Sequence, residues 1–307
     1  MTLDEFIDQE RRIRPGVHLH DGIWWKTNSF GCCSPLFPLQ AIEPGTRRPA
    51  FLKSFIRYHH IATAASAQKG DTNLVLQNRI MMPEAALSSY SIQSIEDRKR
   101  RQAINRSVRR GFFTRPIEEL GAFRYDLFEI YVSTAKRNKH GLPPGWYQEN
   151  ERLWWENLQT EFSLQGRQWL GVFLEDKLVG FLYWCVVQNT ALWLVTKSNA
   201  DFVASDPNDL LWHEGIEACQ RTLDCANIDT GWAIPIPESI DWRKRTFGFR
   251  PIPMNVYSYM NPAINRSVRF VFRVLNPLAK RIPVTTHRGL MFRYQTLRKL
   301  FDQHERI

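Results

Sequence analysis

Long apolar runs are missing from this 307-residue sequence. No stretch of about 18 or more consecutive apolar residues occurs, which argues against a membrane-spanning helix. Paired cysteines are missing too. The five cysteines are an odd number, Cys32 and Cys33 are adjacent, and no C-x-x-C pair exists. Neither a disulfide framework nor a zinc site is therefore expected, and reduced thiols in the cytoplasm are the plain reading. The N-terminus, MTLDEFIDQERRIR, is acidic and polar, unlike a signal peptide. There is no solenoid-type repeat and no low-complexity tract. What is present is 43% apolar and 13% aromatic. That is enough to bury the core of one large domain or two ordinary ones.

The net charge of +10 is unevenly distributed. Residues 261–307 carry a net +8 and residues 94–110 a net +5, which leaves the remainder mildly acidic. Two basic elements on an acidic body face polyanions or, alternatively, form solvated faces with no partner.

Residues 1–93 are the least legible and form an N-terminal lobe in this reading. Leu3 to Arg14 has the pattern of a short helix, and Thr72 to Met81 alternates like a strand. Phe51 to Ala67 fits either a helix or a strand pair, and His59-His60 lacks metal-ligand spacing. From Ser94 the pattern sharpens. Ser94 and Asp97 resemble a capping box, and RKRRQAINRSVRR follows as a basic helix ending at Gly111. A short strand, Phe112 to Thr114, precedes helices over Arg124–Asn138 and Gln148–Glu161. Then come strands over Trp169–Leu174, Leu178–Val187 and Ala191–Thr196, a helix over Asp209–Leu223, a buried strand from Asn227, and a last strand over Pro251–Met260. The tail, residues 261–307, has two helical patterns. One of them, 264–282, sets Arg266, Arg269 and Arg273 beside an apolar face. It fits an interfacial helix on an anionic membrane or a docked helix pair equally well.

The order strand–turn–strand–strand, helix, strand, Gly-containing helix end, strand resembles the GNAT acyltransferases. RKRRQAINRSVRRG and DWRKRTFGFRPI are similar to segments of the Fem-like branch, which includes the aminoacyl transferases of cell-wall synthesis. The resemblance covers about Ser94 to Met260 and implies an α/β (α+β) fold. Its sheet would be mixed, mostly antiparallel and flanked by helices, with residues 1–93 as a degenerate first lobe. The usual GNAT loop Arg/Gln-x-x-Gly-x-Gly/Ala is absent, since the third strand leads into TKSNADFVASDPND. That absence fits the Fem-like branch better than an ordinary acetyl-CoA enzyme.

The first candidate site is the start of the helix near Asp209. Ser205, Asp206 and Asn208 could cap it, and its free N–H groups suit a pyrophosphate. Asp206 and Asp209 would repel that anion, and a purely structural cap is the alternative. The second site is Arg243-Lys244-Arg245. Ser205, Asn208, Arg243, Lys244 and Arg245 thus form the candidate donor-binding set. By the resemblance, Lys244 lies near the reacting carbonyl or a donor phosphate. Asp229 is either a general base or a turn cap. Tyr183 is either a proton donor or a core tyrosine bonded to backbone. In the arginine helix, Arg101 and Arg109 are candidates for substrate phosphates.

The expectation is an acyltransferase moving an acyl or aminoacyl group from a phosphate-bearing donor to an amine. The donor would be acyl-CoA, acyl carrier protein or aminoacyl-tRNA, and it would act as a co-substrate rather than a tightly bound cofactor. The acceptor would be a small molecule or a cell-envelope precursor, and no metal is expected. The location would be cytoplasmic, with a peripheral inner-membrane association if the tail is interfacial. The competing expectation is a non-catalytic nucleic-acid-binding or membrane-surface protein on the same fold.

Overall fold

The computed structural model describes residues 1–14, 16–20, 22–27, 32–42, 57–62, 74–137, 142–232 and 238–260. The basic tail, including 264–282, lies outside the described residues, as do the side chains of His59 and His60. The chain divides into two compact units. The first is Met1–Gln9 with Asn78–Ile252, and the second is Glu10–Gln77 with Pro253–Ile307.

In the second unit, β1 (Val17–His20) and β2 (Ile23–Thr27) form an antiparallel pair, and β2 continues antiparallel to β3 (Cys32–Pro35). Both β3 and β4 (Ala41–Ile42) run parallel to β5 (Arg57–Ala62). Val256–Met260 of β12 (Arg250–Met260) pairs antiparallel with β5. Trp25, Cys33, Ile42, Ala62 and Tyr257 form its small core.

The first unit carries α1 (Leu3–Ile13) in part and a sheet ordered β6 (Leu74–Met82), β11 (Asn227–Trp232), β10 (Thr190–Ser198), β9 (Lys177–Val187), β8 (Arg167–Leu174) and β7 (Phe112–Pro116). Only the β10–β11 pair is parallel; the others are antiparallel. Strand alternation sends side chains to two cores. Phe181 and Tyr183 join an aromatic core with α4 (Arg124–Arg137), α5 (Pro144–Glu149) and α6 (Glu151–Ser163). Leu182 and Trp184 join an aliphatic core with α2 (Glu84–Ser88), α3 (Arg98–Arg109) and α7 (Pro207–Arg221), to which Phe247 adds from the segment after α8 (Glu238–Thr246). This is the mixed, helix-flanked sheet expected from the sequence.

One local expectation is corrected. Ser94 does not open the basic helix. It ends a one-turn 3-10 segment capped by Ser91, and Asp97 caps α3 through a 2.8 Å bond from the Lys99 N–H. Asp97 wins because a carboxylate one residue before the first helical turn reaches the N2 amide directly.

The parallel pairing of β10 with β11 is short. It runs Thr190↔Asn227 to Leu192↔Asp229 and then stops. Beyond it, β10 continues beside β9 alone, after a bulge in which Leu194 is the extra residue. Past Leu192 the two strands no longer pair, and the end of β10 lies beside the first turns of α7. That helix lies close against β9. A Cβ on Gly215 would fall 2.4 Å from Leu182 Cδ2, and Leu182 is fully buried. Replacing Gly215 with Val is expected to destabilise the fold by about 1–3 kcal/mol through overpacking. Gly145→Ala, where nothing lies within 4 Å, should be neutral or better. Urea unfolding of both variants checks this, and equal midpoints would contradict the close approach.

Candidate functional site

The open end of β10 supplies Thr196, Lys197 and Ser198 to a cavity of about 400 Å³. The first turns of α7 add Asn208 and Trp212, α8 adds Trp242 and Arg243, α3 adds Arg100, and the last turn of α4 adds Arg137. The local chain explains each placement. Pro207 occupies the first position of α7, where its missing N–H costs nothing. Asp206 sits before it in the left-handed region at φ 57°, makes no side-chain cap, and turns its carboxylate to Arg106 at 2.9 Å. Pro207 has no N–H and the Asp209 N–H donates to the Asp206 carbonyl at 3.0 Å, which leaves the Asn208 N–H of the first turn without a side-chain cap. Trp212 is wedged between Trp193, Phe247 and Phe249, with ring centroids 5.1 to 5.8 Å away.

Asp209 organises the charges. It is fully buried and accepts from Arg100 Nη1 at 2.8 Å and from Arg243 Nη2. One carboxylate thus orients guanidiniums from two different helices. Arg137 and Lys197 add two further cations, so four cations line the cavity. The crowding is felt electrostatically. Burial pushes the Lys197 ammonium down from its ordinary value, and the Arg137 charge pushes it further. Burial and the Arg243 charge do the same to Arg137. The Lys197 ammonium rests 4.6 Å from the Tyr131 ring centroid, an attractive cation–π position.

Among the described residues, three buried polar atoms near this cavity have no hydrogen-bond partner: Ser198 Oγ, Asn208 Oδ1 and Arg243 Nε. Ser198 is fully buried. A buried hydroxyl without a partner costs about 1–3 kcal/mol unless something else bonds it. The Ser198 hydroxyl and the Arg243 Nε–H are closed off from the cavity space, so an anion with several oxygens would meet the surplus positive charge of the lining side chains.

The structure brings Asn208 and Arg243 of the sequence-based set into this cavity and leaves the others outside its lining. Ser205 lies just before α7, where its carbonyl accepts from Ser107 Oγ at 2.7 Å. Lys244 is buried, and its Nζ donates to the Thr230 carbonyl at 3.3 Å. Arg245 is exposed. Arg101 bonds the carbonyls of Ile95 and Glu96, and Arg109 is exposed on the last turn of α3. Tyr183 is buried in the aromatic core, stacked on Trp169 at 4.0 Å, and its hydroxyl reaches Glu161 at 3.5 Å. Asp229 is buried and forked by Arg79, with Nε 3.2 Å from Oδ1 and Nη2 on Oδ2, and it also accepts the Gly231 N–H at 2.9 Å. Arg100, Arg137, Lys197, Ser198 and Trp212 were missed by sequence reasoning. The one available signal was the density of arginines in α3.

Neither a family model nor a curated protein matches the sequence. Solved structures do match in fold. The C-terminal domain of a putative lysylphosphatidylglycerol synthetase from Agrobacterium fabrum aligns at 10% identity over 89% of this chain and 95% of that one, with a TM-score of 0.54. FemX aligns at 8% identity over 87% and 93%, with a TM-score of 0.55. L-PGS from Bacillus licheniformis aligns at 11% identity over 91% and 97%, with a TM-score of 0.53. The chain has the fold of these proteins, the GNAT-type, Fem-like fold that its sequence resembles.

The Arg79–Asp229 fork joins β6 to β11. Asp229→Asn should destabilise the protein by about 3–5 kcal/mol, the cost of leaving a buried guanidinium uncompensated. Replacing both partners with Met and Leu should recover most of that loss in urea unfolding. An Asp229→Asn protein with wild-type stability and abolished activity would instead point to a general base.

Proposed function

We propose that the chain is an acyltransferase, moving an acyl or aminoacyl group from a phosphate-bearing donor to an amine. The observation that carries the reading is the cationic cavity at the start of α7, lined by Arg100, Arg137, Lys197 and Arg243. It sits where β10 runs on past its pairing with β11, in a fold shared with FemX and with lysylphosphatidylglycerol synthetases.

In this reading Arg137, Lys197 and Arg243 neutralise the donor phosphates, and the start of α7 adds a partial positive charge. The acyl carbonyl then lies along the unpaired stretch of β10. The bulge at Leu194 turns a peptide group out of the ladder there. A backbone N–H so placed is suited to the oxyanion of an acyl-transfer intermediate. The amine attacks directly: a C–N bond forms, the carbonyl carbon's bond to the donor's sulfur or oxygen breaks, and the amine proton leaves with solvent or the departing group. No covalent enzyme intermediate is required. Asp229 and Lys244 hold β11 and the end of α8 in register and do not touch the reacting atoms.

Arg137 makes the cleanest test, because its removal opens no buried pair. Calorimetric titration with inorganic pyrophosphate should show binding that weakens about 10- to 100-fold in Arg137→Ala, the loss of one charged hydrogen-bond donor at about 1.5–3 kcal/mol. Unchanged affinity would remove the cavity from the donor site. Donor panels of acyl-CoA, acyl carrier protein and aminoacyl-tRNA, with amine acceptors, then test transfer itself. Anion binding without any transfer would favour the non-catalytic alternative.

A further inference from the structure

Sulfur plays no part in the proposed transfer, yet two cysteines meet at the end of α7 away from the cavity. Cys219 lies in the last turn of the helix and is fully buried. Cys225 follows in the turn that leads to β11 and is half-buried. Eleven residues of helix separate Cys219 from Asn208 at the cavity, about 17 Å at 1.5 Å per residue.

The backbone brings the two cysteines together. The helix stops where Thr222 turns extended, with its N–H still bonded to the Cys219 carbonyl at 3.1 Å. The Cys225 N–H then bonds to the Thr222 carbonyl at 3.2 Å, and Asp224 takes the left-handed conformation at φ 61°. These two turns fold the chain back over the helix end. The N–H groups of Ala226 and Asn227 fasten it there, both to the Asn189 carbonyl, at 2.8 and 3.1 Å. Both cysteine side chains thereby join the aliphatic core.

The surroundings make the two thiols unequal. The Trp193 Nε1–H donates to Cys219 Sγ at 3.4 Å, and the Cys225 thiol reaches the Asn227 carbonyl at 3.5 Å. Burial pushes the Cys219 thiol well up, and the neighbouring Cys225 adds to the effect. The Cys225 thiol moves the other way. A hydrogen bond from Cys219, with backbone hydrogen bonds at Ala191 and Asn227, favours its thiolate against the opposing effect of burial. A half-exposed thiol that ionises readily, backed by a buried one, is the arrangement of an attacking cysteine and its resolving partner. Cys33 and Cys185 are buried, a setting in which thiols are inert.

We infer that Cys225 and Cys219 form a redox-active dithiol, oxidised to a disulfide by hydrogen peroxide and restored by thiol reductants. The Cys225 sulfur attacks one peroxide oxygen. An S–O bond forms, the O–O bond breaks, and the departing hydroxide takes a proton and leaves as water. The Cys219 sulfur then attacks the Cys225 sulfenic acid. The S–S bond forms, the S–O bond breaks, and the hydroxyl leaves as a second water with the Cys219 proton. The two thiols supply the two electrons that reduce the peroxide. The sulfurs must close to about 2.05 Å, and the movement falls on residues 222–226, outside helix and strand. A transient bond of this kind needs no oxidising compartment.

The test uses the full chain, reduced, freed of reductant, treated with hydrogen peroxide, alkylated under denaturing conditions and digested with trypsin without reduction. Trypsin cuts after Arg221, between the two cysteines. The disulfide should therefore join peptides 198–221 and 222–243 in a species two hydrogens lighter than their sum, and dithiothreitol should separate them. Cys33 and Cys185 should be recovered alkylated. In Cys219→Ala the reaction should stop at the Cys225 sulfenic acid, captured by dimedone. Cys225→Ser, at the half-buried position, should lose the linked species and leave Cys219 alkylated. If Cys219→Ala does not fold, the wild-type map and Cys225→Ser decide the matter. Recovery of both wild-type peptides unlinked and alkylated would overturn the inference. So would a disulfide from Cys225 to any other cysteine, or peroxide oxidation of Cys219 in the Cys225→Ser protein.

Discussion

The buried carboxylate of Asp209 is the constraint on which the site depends. It is removed from water and can stay charged only with close, hydrogen-bonded cations. Arg100 and Arg243 supply them from α3 and α8, so one side chain on α7 ties three helices together. It also leaves the cavity unbalanced. Once Asp209 has been shared by two guanidiniums, Arg137 and Lys197 have no buried anion of their own among the described residues. Burial pushes both groups down, joined by the Arg243 charge at Arg137 and by the Arg137 charge at Lys197. An arrangement that keeps cations close at an electrostatic cost is suited to a guest that carries negative charge.

The backbone prepares the same place. Because β10 and β11 pair through only three residue pairs, the end of β10 runs on past β11 where α7 begins. Asp206 then adopts a left-handed conformation and gives its carboxylate to Arg106. The Asn208 N–H at the helix start is left without a side-chain cap. The end of strand pairing, an uncapped N–H and surplus charge thus converge on one cavity through independent local causes.

Most of the fold was legible in the sequence because it is written in local patterns. The apolar runs of β8, β9 and β10, the amphipathic α7 and the glycine after α8 each declare themselves within a dozen residues. The site was legible only in part. Arg243 and Asn208 stood out as a charge cluster and a helix start, and both line the cavity. The partners of the buried acids were not readable, because they come from remote segments. Arg79 lies 150 positions before Asp229, and Arg100 lies 109 before Asp209. Asp209, taken by itself, reads as a group that repels an anion. With its two arginines in place it becomes the group that aims them. Lys197 and Ser198 were read in the polar segment after a strand ending at Thr196, noted there for its missing glycines, whereas β10 runs on through both.

The most direct measurement is a crystal structure of the full chain with inorganic pyrophosphate. The account predicts the anion in the cavity at the start of α7, its oxygens within hydrogen-bond distance of Arg137 and Lys197, with the Asp209 clamp intact. Pyrophosphate seated elsewhere, or an occupied cavity in which Asp209 has released Arg100 and Arg243, would contradict it.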